Sequence, residues 1–180
     1  MSSDRLNPFS YVILTLVGRH GAGPHDLRRN AEQGRMYWDA APSQWYAEPK
    51  RLATLGYLDA EKRPGQTRER THYTLTEKGR EALEEWARTP ATLPKIQNEG
   101  VVRVLASDLV PVEAALEGLA SLRVQIEEQL AWVERARERR PETAPHREKT
   151  LVVNEIFGEG ILRLQLEWLE QAEKTLRAQS

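Results

Sequence analysis

The chain of 180 residues contains no cysteine. That absence excludes disulfide frameworks, thiolate nucleophiles, zinc ribbons and iron–sulfur sites together, and it suits a reducing compartment. Long apolar runs are missing as well. Nowhere do roughly 18 uncharged apolar residues follow one another, so no membrane-spanning helix is expected. The N-terminal Met1-Ser2-Ser3-Asp4-Arg5 lacks a basic stretch followed by an apolar segment, which predicts a cytoplasmic protein. Charge of one sign is scarce too: 26 Lys and Arg against 27 Asp and Glu leave a net charge of −1, so the overall balance names no partner. Catalytic signatures are equally thin. His20, His25, His72 and His146 are scattered, and no Gly-x-Ser-x-Gly, His-Glu-x-x-His or Walker-type loop is present. Gly21-Ala22-Gly23 follows a helical pattern rather than a strand and lacks a third glycine, so it reads as a turn. His20 and His25 have no third ligand nearby, and the carboxylates of 113–173 fall at the spacing of a solvated helix face. Neither catalysis, nor a cofactor, nor a metal is expected.

What remains is 39% apolar and 29% charged, a balance that fits a globular chain able to bury a core rather than a disordered polymer. The texture changes near Thr89-Pro90-Ala91-Thr92-Leu93-Pro94, which suggests domains at 1–90 and 91–180. The first carries 14 Lys and Arg against 12 Asp and Glu, or +2; the second carries 12 against 15, or −3. Within the first, residues 62–80 hold six basic and two acidic side chains, the one concentrated basic patch.

In the first half, apolar residues at 6, 9, 12, 13, 16 and 17 make a helical stripe that starts near Asn7-Pro8. Gly18 and Gly21-Ala22-Gly23 break it. A polar helix is expected from Pro24 to about Gln33, and a third from Pro42 to Leu55, stopped by Gly56, with Pro49 inside it. Tyr57 to Glu61 and Thr71 to Leu75 alternate around Arg63-Pro64-Gly65-Gln66, the pattern of a hairpin with a basic tip. Thr76 then caps a helix through Trp86. Trp45, Tyr57 and Trp86 are expected in the core.

The second half begins with an apolar helix near Val101–Leu109. Val112, Leu119, Ile126 and Val133 then recur seven apart, with Ala115 and Leu122 between, a coiled-coil-like seam in a long helix. The last helix, from Arg147 to about Arg177, is apolar on more than one side and must be covered on several faces. Two helices do this poorly alone, which implies a second subunit; Val112, Leu119, Ile126, Val133, Leu162, Leu166 and Leu169 are the candidate dimerisation residues. The fold class expected is mainly α with a small β wing.

The order helix, helix, helix, hairpin, helix is that of a winged helix-turn-helix, whose third helix meets base edges in the major groove of duplex DNA. The side chains there are Ser43, Gln44, Tyr46, Lys50 and Arg51. Gln pairs bidentately with adenine, Ser bonds either kind of edge, and Lys50 and Arg51 suit phosphate or guanine. Arg63, Gln66, Arg68 and Arg70 on the hairpin would hold the neighbouring groove or backbone. The rival reading is a protein-interaction module on a winged-helix scaffold that binds no specific DNA.

The string Ser43-Gln44-Trp45-Tyr46-Ala47-Glu48-Pro49-Lys50-Arg51-Leu52, running into Leu55-Gly56-Tyr57-Leu58, then Tyr73-Thr74-Leu75-Thr76-Glu77-Lys78-Gly79 and Trp86, resembles the PadR family of bacterial transcriptional regulators. The final helix, with Gly158 and Glu167-Trp168-Leu169, is similar to the helical C-terminal domain of its larger members. Pro24-His25-Asp26-Leu27 departs from the Gly-Tyr-Glu-Leu type segment usual there, so helix-two contacts do not transfer. The resemblance implies a homodimer on a palindromic operator, commonly a repressor, in which the helix carrying Ser43, Gln44, Tyr46 and Lys50 reads the operator and the wing carrying Arg68 and Arg70 grips the backbone. It also implies a small hydrophobic or phenolic effector, for which Met36, Trp132, Phe157 and Trp168 are candidate lining residues; ordinary core packing accounts for them equally.

Overall fold

A computed structural model describes residues 5–33, 37–38, 40–64, 69–143 and 145–178. Helix α1 (Pro8–Val17) starts where the sequence supplies a reciprocal cap: Asn7 Oδ1 accepts the Ser10 N–H and Ser10 Oγ accepts the Asn7 N–H, both at 3.0 Å. Pro8 fills the first turn, where a missing N–H costs nothing. Phe9, Ile13, Leu14 and Val17 form its inner face. Helix α2 (Pro24–Gln33) contributes Leu27, and α3 (Gln44–Thr54) contributes Trp45 and Leu52. Strands β1 (Leu58–Arg63) and β2 (Arg70–Leu75) pair antiparallel from Leu58 opposite Leu75 to Arg63 opposite Arg70. The Ala22 and Tyr73 backbones exchange two hydrogen bonds of 3.0 Å, so the α1–α2 connection lies against the hairpin as a third short rung. Helix α4 (Glu77–Arg88) follows, capped by Thr76 Oγ1 on the Gly79 N–H.

These elements surround one apolar core of Phe9, Ile13, Leu14, Val17, Leu27, Trp45, Leu52, Leu58 and Tyr73. Burying each large apolar side chain is worth about 1.5–3 kcal/mol, and this is what fixes α3 in place. Trp86 is a correction. It is half exposed and stacks on Tyr11 with ring centroids 5.0 Å apart, outside the core; Tyr57 is half-buried.

The chain divides into two compact units, Met1–Leu93 and Pro94–Ser180. The second holds α5 (Glu99–Leu105), a short 3-10 turn at Ala106–Asp108, α6 (Val112–Thr143), a second such turn at Pro145–Arg147, and α7 (Glu148–Arg177). Helices α6 and α7 form an antiparallel hairpin, as the pairs Arg123 with Glu173 and Arg137 with Glu155 and Glu159 record. None of the helices is long and apolar enough to cross a membrane, among the described residues.

The heptad stripe of α6 packs within the chain itself. Ala115, Leu119, Ile126 and Val133 are buried within a single chain, as are Leu162, Leu169, Ala172 and Leu176 of α7, while Val112 and Leu166 are half-buried. Most of these side chains are thus covered by the chain's own helices, with Val112 and Leu166 keeping part of their surface open. In the single chain the stripe lies where α6 packs on α5 and α7, and the apolar side chains left open in this unit include Val153, Ile156, Phe157 and Leu164 of α7, Val124 of α6 and Val102 and Leu105 of α5.

Candidate nucleic-acid interface

Helix α3 is divided lengthwise by burial. Trp45, Glu48, Pro49 and Leu52 face inward, whereas Ser43, Gln44, Tyr46, Ala47, Lys50 and Thr54 are exposed. The exposed set follows helical spacing at 43, 47, 50 and 54, with 44 and 46 beside it, so these side chains share one outward face. Ser43 sits in helical backbone at the N-cap position and its hydroxyl makes no capping bond. Tyr46 is 46% exposed, an amphipathic ring presented to solvent. Gln44 and Ala47 border an open cleft of about 420 Å³ completed by Asn7, Pro8, Phe9, Trp38 and Glu48. The helix starts two residues later than its proline suggested and continues through Pro49, which is buried.

The C-terminal end of α3 is closed by the segments on either side of the hairpin. The Tyr57 N–H reaches the Leu52 carbonyl at 2.9 Å and the Gly56 N–H the Ala53 carbonyl at 3.0 Å, a Schellman closure that needs left-handed backbone at Gly56, where φ is 78°. Lys78 Nζ donates to the Leu55 carbonyl at 2.7 Å and lies 4.3 Å from the centre of the Tyr57 ring. Thr76 Oγ1 donates to the Gly56 carbonyl at 2.8 Å. Gly79 passes so close to Tyr57 that a β-carbon there would stand 2.3 Å from the Tyr57 carbonyl oxygen. Leu55-Gly56-Tyr57 and Thr76-Glu77-Lys78-Gly79 thus form one locking contact that sets α3 against the wing.

On the wing, Arg63 and Arg70 are cross-strand partners, two like charges side by side, an arrangement that costs free energy unless an anion or carboxylate answers it. Glu61 answers in part, accepting from Arg63 Nε at 2.8 Å, with both side chains about half exposed or more. Gln66 and Arg68 lie outside the described residues.

Arg51 is half-buried and paired within the chain. Its Nε donates to Glu48 Oε2 at 2.9 Å and its Nη2 to Glu48 Oε1 at 2.7 Å, and Nη2 also reaches Ser10 Oγ at 3.1 Å. Ser10 Oγ donates in turn to Glu48 Oε1 at 2.6 Å. Burial alone would push the Glu48 carboxyl up, but the hydrogen bonds from Arg51 and Ser10 and the Arg51 charge outweigh it and hold the group below the usual carboxylate range. The structure thus exposes Ser43, Gln44, Tyr46 and Lys50 on one side of α3, adds Ala47 and Thr54 to their face, and ties the partly exposed Arg51 to Glu48 and Ser10 beside it. The helical period counted forward and back from Lys50 marks both added residues.

Of the residues considered for an effector, Phe157 is exposed, Trp132 and Trp168 are half-buried, and Met36 lies outside the described residues.

No protein-family model and no curated protein sequence matches the chain. Solved structures do. PadR of Bacillus subtilis in complex with operator DNA is 19% identical, with a TM-score of 0.78 over 94% of this chain and 99% of that one. The same protein with p-coumaric acid gives 0.72 at 19% identity over 94% and 98%. A PadR-like transcriptional regulator of Bacillus cereus gives 0.78 at 17% identity, over 98% of this chain and 99% of that one. The virulence activator AphA of Vibrio cholerae gives 0.72 at 18%, over 95% and 99%. The architecture is that of a winged helix joined to a unit of long helices. More narrowly, it is the PadR fold, shared along nearly the whole length of both chains.

Proposed function

We propose that this chain is a transcriptional regulator of the PadR family, a cytoplasmic homodimer that binds a palindromic operator in duplex DNA and represses a nearby gene until a small-molecule effector releases it. The observation that carries the reading is the lengthwise division of α3: apolar anchors on one side, and Ser43, Gln44, Tyr46 and Lys50 together on the other. A helix held this way offers hydrogen-bonding side chains to base edges without unpacking its core. Arg63 and Arg70 supply paired positive charge that a phosphate would neutralise, with Gln66 and Arg68 assigned to the same wing. Residues 1–90 read DNA in this account and residues 91–180 dimerise.

The dimer contact belongs to the open apolar stripe of α7, where Val153, Phe157 and Leu164 recur at helical spacing with Ile156 beside them. Two copies related by a two-fold axis would meet half-sites about one helical turn, or ~34 Å, apart. Effector release rests on the likeness to a protein solved with p-coumaric acid, and a small phenolic acid is the class to try first.

The test is selection of genomic fragments by the purified protein, followed by anisotropy titration of the best fragment and of a random duplex at two salt concentrations. The reading expects an enriched inverted repeat, bound more tightly than random sequence and more weakly at higher salt. No enrichment, with and without phenolic acids, would overturn it and favour the protein-interaction reading.

A further inference from the structure

Glu48 and Ser10 are the buried polar residues of the winged-helix unit among those described, and they bond each other across the contact of α3 with α1. The surrounding inner face is apolar: Phe9, Ile13, Leu14, Trp45 and Leu52. Stability does not require a carboxylate there, because well-packed apolar residues commonly do as well as a buried ion pair or better. What directional hydrogen bonds supply, and apolar contacts supply less well, is one arrangement in place of several similar ones.

Helix α3 has a particular need for this. Pro49 has no N–H to give the Trp45 carbonyl, so the ladder lacks a rung in the middle of the helix that would read DNA. Glu48 and Arg51 straddle the gap, one residue before it and two after, and are tied by two hydrogen bonds of 2.9 and 2.7 Å. Both halves are then fastened to one atom of another element, since Ser10 Oγ bonds Glu48 and Arg51 at 2.6 and 3.1 Å. That atom is itself held, for it accepts the Asn7 N–H in the cap of α1.

We infer that Ser10, Glu48 and Arg51 form a clamp that sets the pitch and rotation of α3, so that Arg51 is a positioning residue that governs base reading through Glu48 without touching DNA. The inference deepens the regulator reading and rests on it. Gln44 and Lys50 lie on either side of Pro49, with Gln44 before the Glu48–Arg51 span and Lys50 within it, so loosening the clamp uncouples the two side chains that must meet neighbouring bases together. Phosphate attraction, which depends on charge more than on angle, is left as it was.

The experiment measures affinity of the full chain for the selected operator and for random duplex across a salt series, using wild type, Arg51→Ala, Glu48→Gln, the double variant and Ser10→Ala. A clamp predicts that Arg51→Ala weakens operator binding by about tenfold or more while random-duplex affinity and the salt slope stay at wild-type values. Glu48→Gln should do the same, and the double variant should be no worse than the poorer single, because residues acting as one unit do not add. Ser10→Ala removes one hydroxyl and keeps the ion pair; it should give a smaller loss of the same kind, which secures the test if a charge variant fails to fold. A phosphate contact predicts otherwise: losses on both duplexes and a slope smaller by about 0.9, the share of one released counterion. That result, or unchanged discrimination in Ser10→Ala and Arg51→Ala, overturns the clamp. Failure of wild type to discriminate would instead overturn the regulator reading, and the clamp's role with it.

Discussion

Replacing Phe157 and Leu164 together by glutamate should dissolve the proposed dimer while leaving each protomer folded. In the single chain these side chains are 58% and 64% exposed. Full burial of such a residue is worth about 1.5–3 kcal/mol, so roughly 1–2 kcal/mol each remains to be gained on association. A two-fold contact presents every substitution twice. Taking the low end, because a real contact covers only part of the surface, the pair of changes removes about 4 kcal/mol, or a thousandfold in the dissociation constant. Burying four carboxylates adds a penalty of the same sign. Light scattering and sedimentation equilibrium over a concentration series would show monomers where wild type is dimeric. The control is Leu119→Ala, fully buried against the chain's own helices, which should lower stability by about 3–5 kcal/mol and lower Tm without acting on the subunit contact directly. The reasoning is refuted if the glutamate variant keeps the wild-type association constant. It is equally refuted if Leu119→Ala splits the dimer with Tm unmoved, since the heptad seam would then be the subunit contact after all.

Gln44→Ala should lose discrimination at one base position in each half-site, by about 1–3 kcal/mol per contact in a base-by-base competition series; equal losses at every position would count against base reading. Arg70→Ala should weaken operator and random duplex alike and reduce the salt slope by about one unit, and an unchanged slope would remove it from the phosphate contacts. For Glu48 the folded carboxyl lies below its ordinary value of 4.5, so its contribution to stability is present above that pH and is lost as pH falls through the lower, folded value. The Tm gap between wild type and Glu48→Gln should accordingly be widest near neutrality and close on acidification below about 4.5; a gap constant with pH would refute this. Gly79→Ala must push a methyl against the Tyr57 carbonyl, so it should lower Tm and operator affinity together; wild-type values for both would show that the lock between α3 and the wing yields freely.

The winged helix was legible because its signals are local. The Asn7-Pro8 start, the Pro24 start, the Gly56 stop, the alternation around residues 57–75 and the Thr76 cap each act within a few residues of the chain. The outward face of α3 was legible for the same reason, its period being set by one helix. The pairing of Arg51 is not legible in the sequence because its partners are decided by packing: Ser10 stands 41 positions away and carries no mark of it. Trp86 was misplaced on composition, since a large ring at helical spacing is usually inside, whereas here it lies flat on Tyr11 at the surface. The heptads of α6 announced a helical partner correctly but could not say whose, because a seam between α6 and α7 and a seam between two subunits have the same period.

Helices α6 and α7 run for 32 and 30 residues, which makes each a rod about 45 Å long. Rods of that length are levers. Swinging one by about 5° about one end carries the other end some 4 Å, slightly more than the ~3.4 Å step between neighbouring base pairs. If two copies meet on the α7 stripe, a change of a few degrees in the angle at which the helices cross is multiplied along their length into a displacement of several ångströms at their far ends. The mechanical gain lies in helix length.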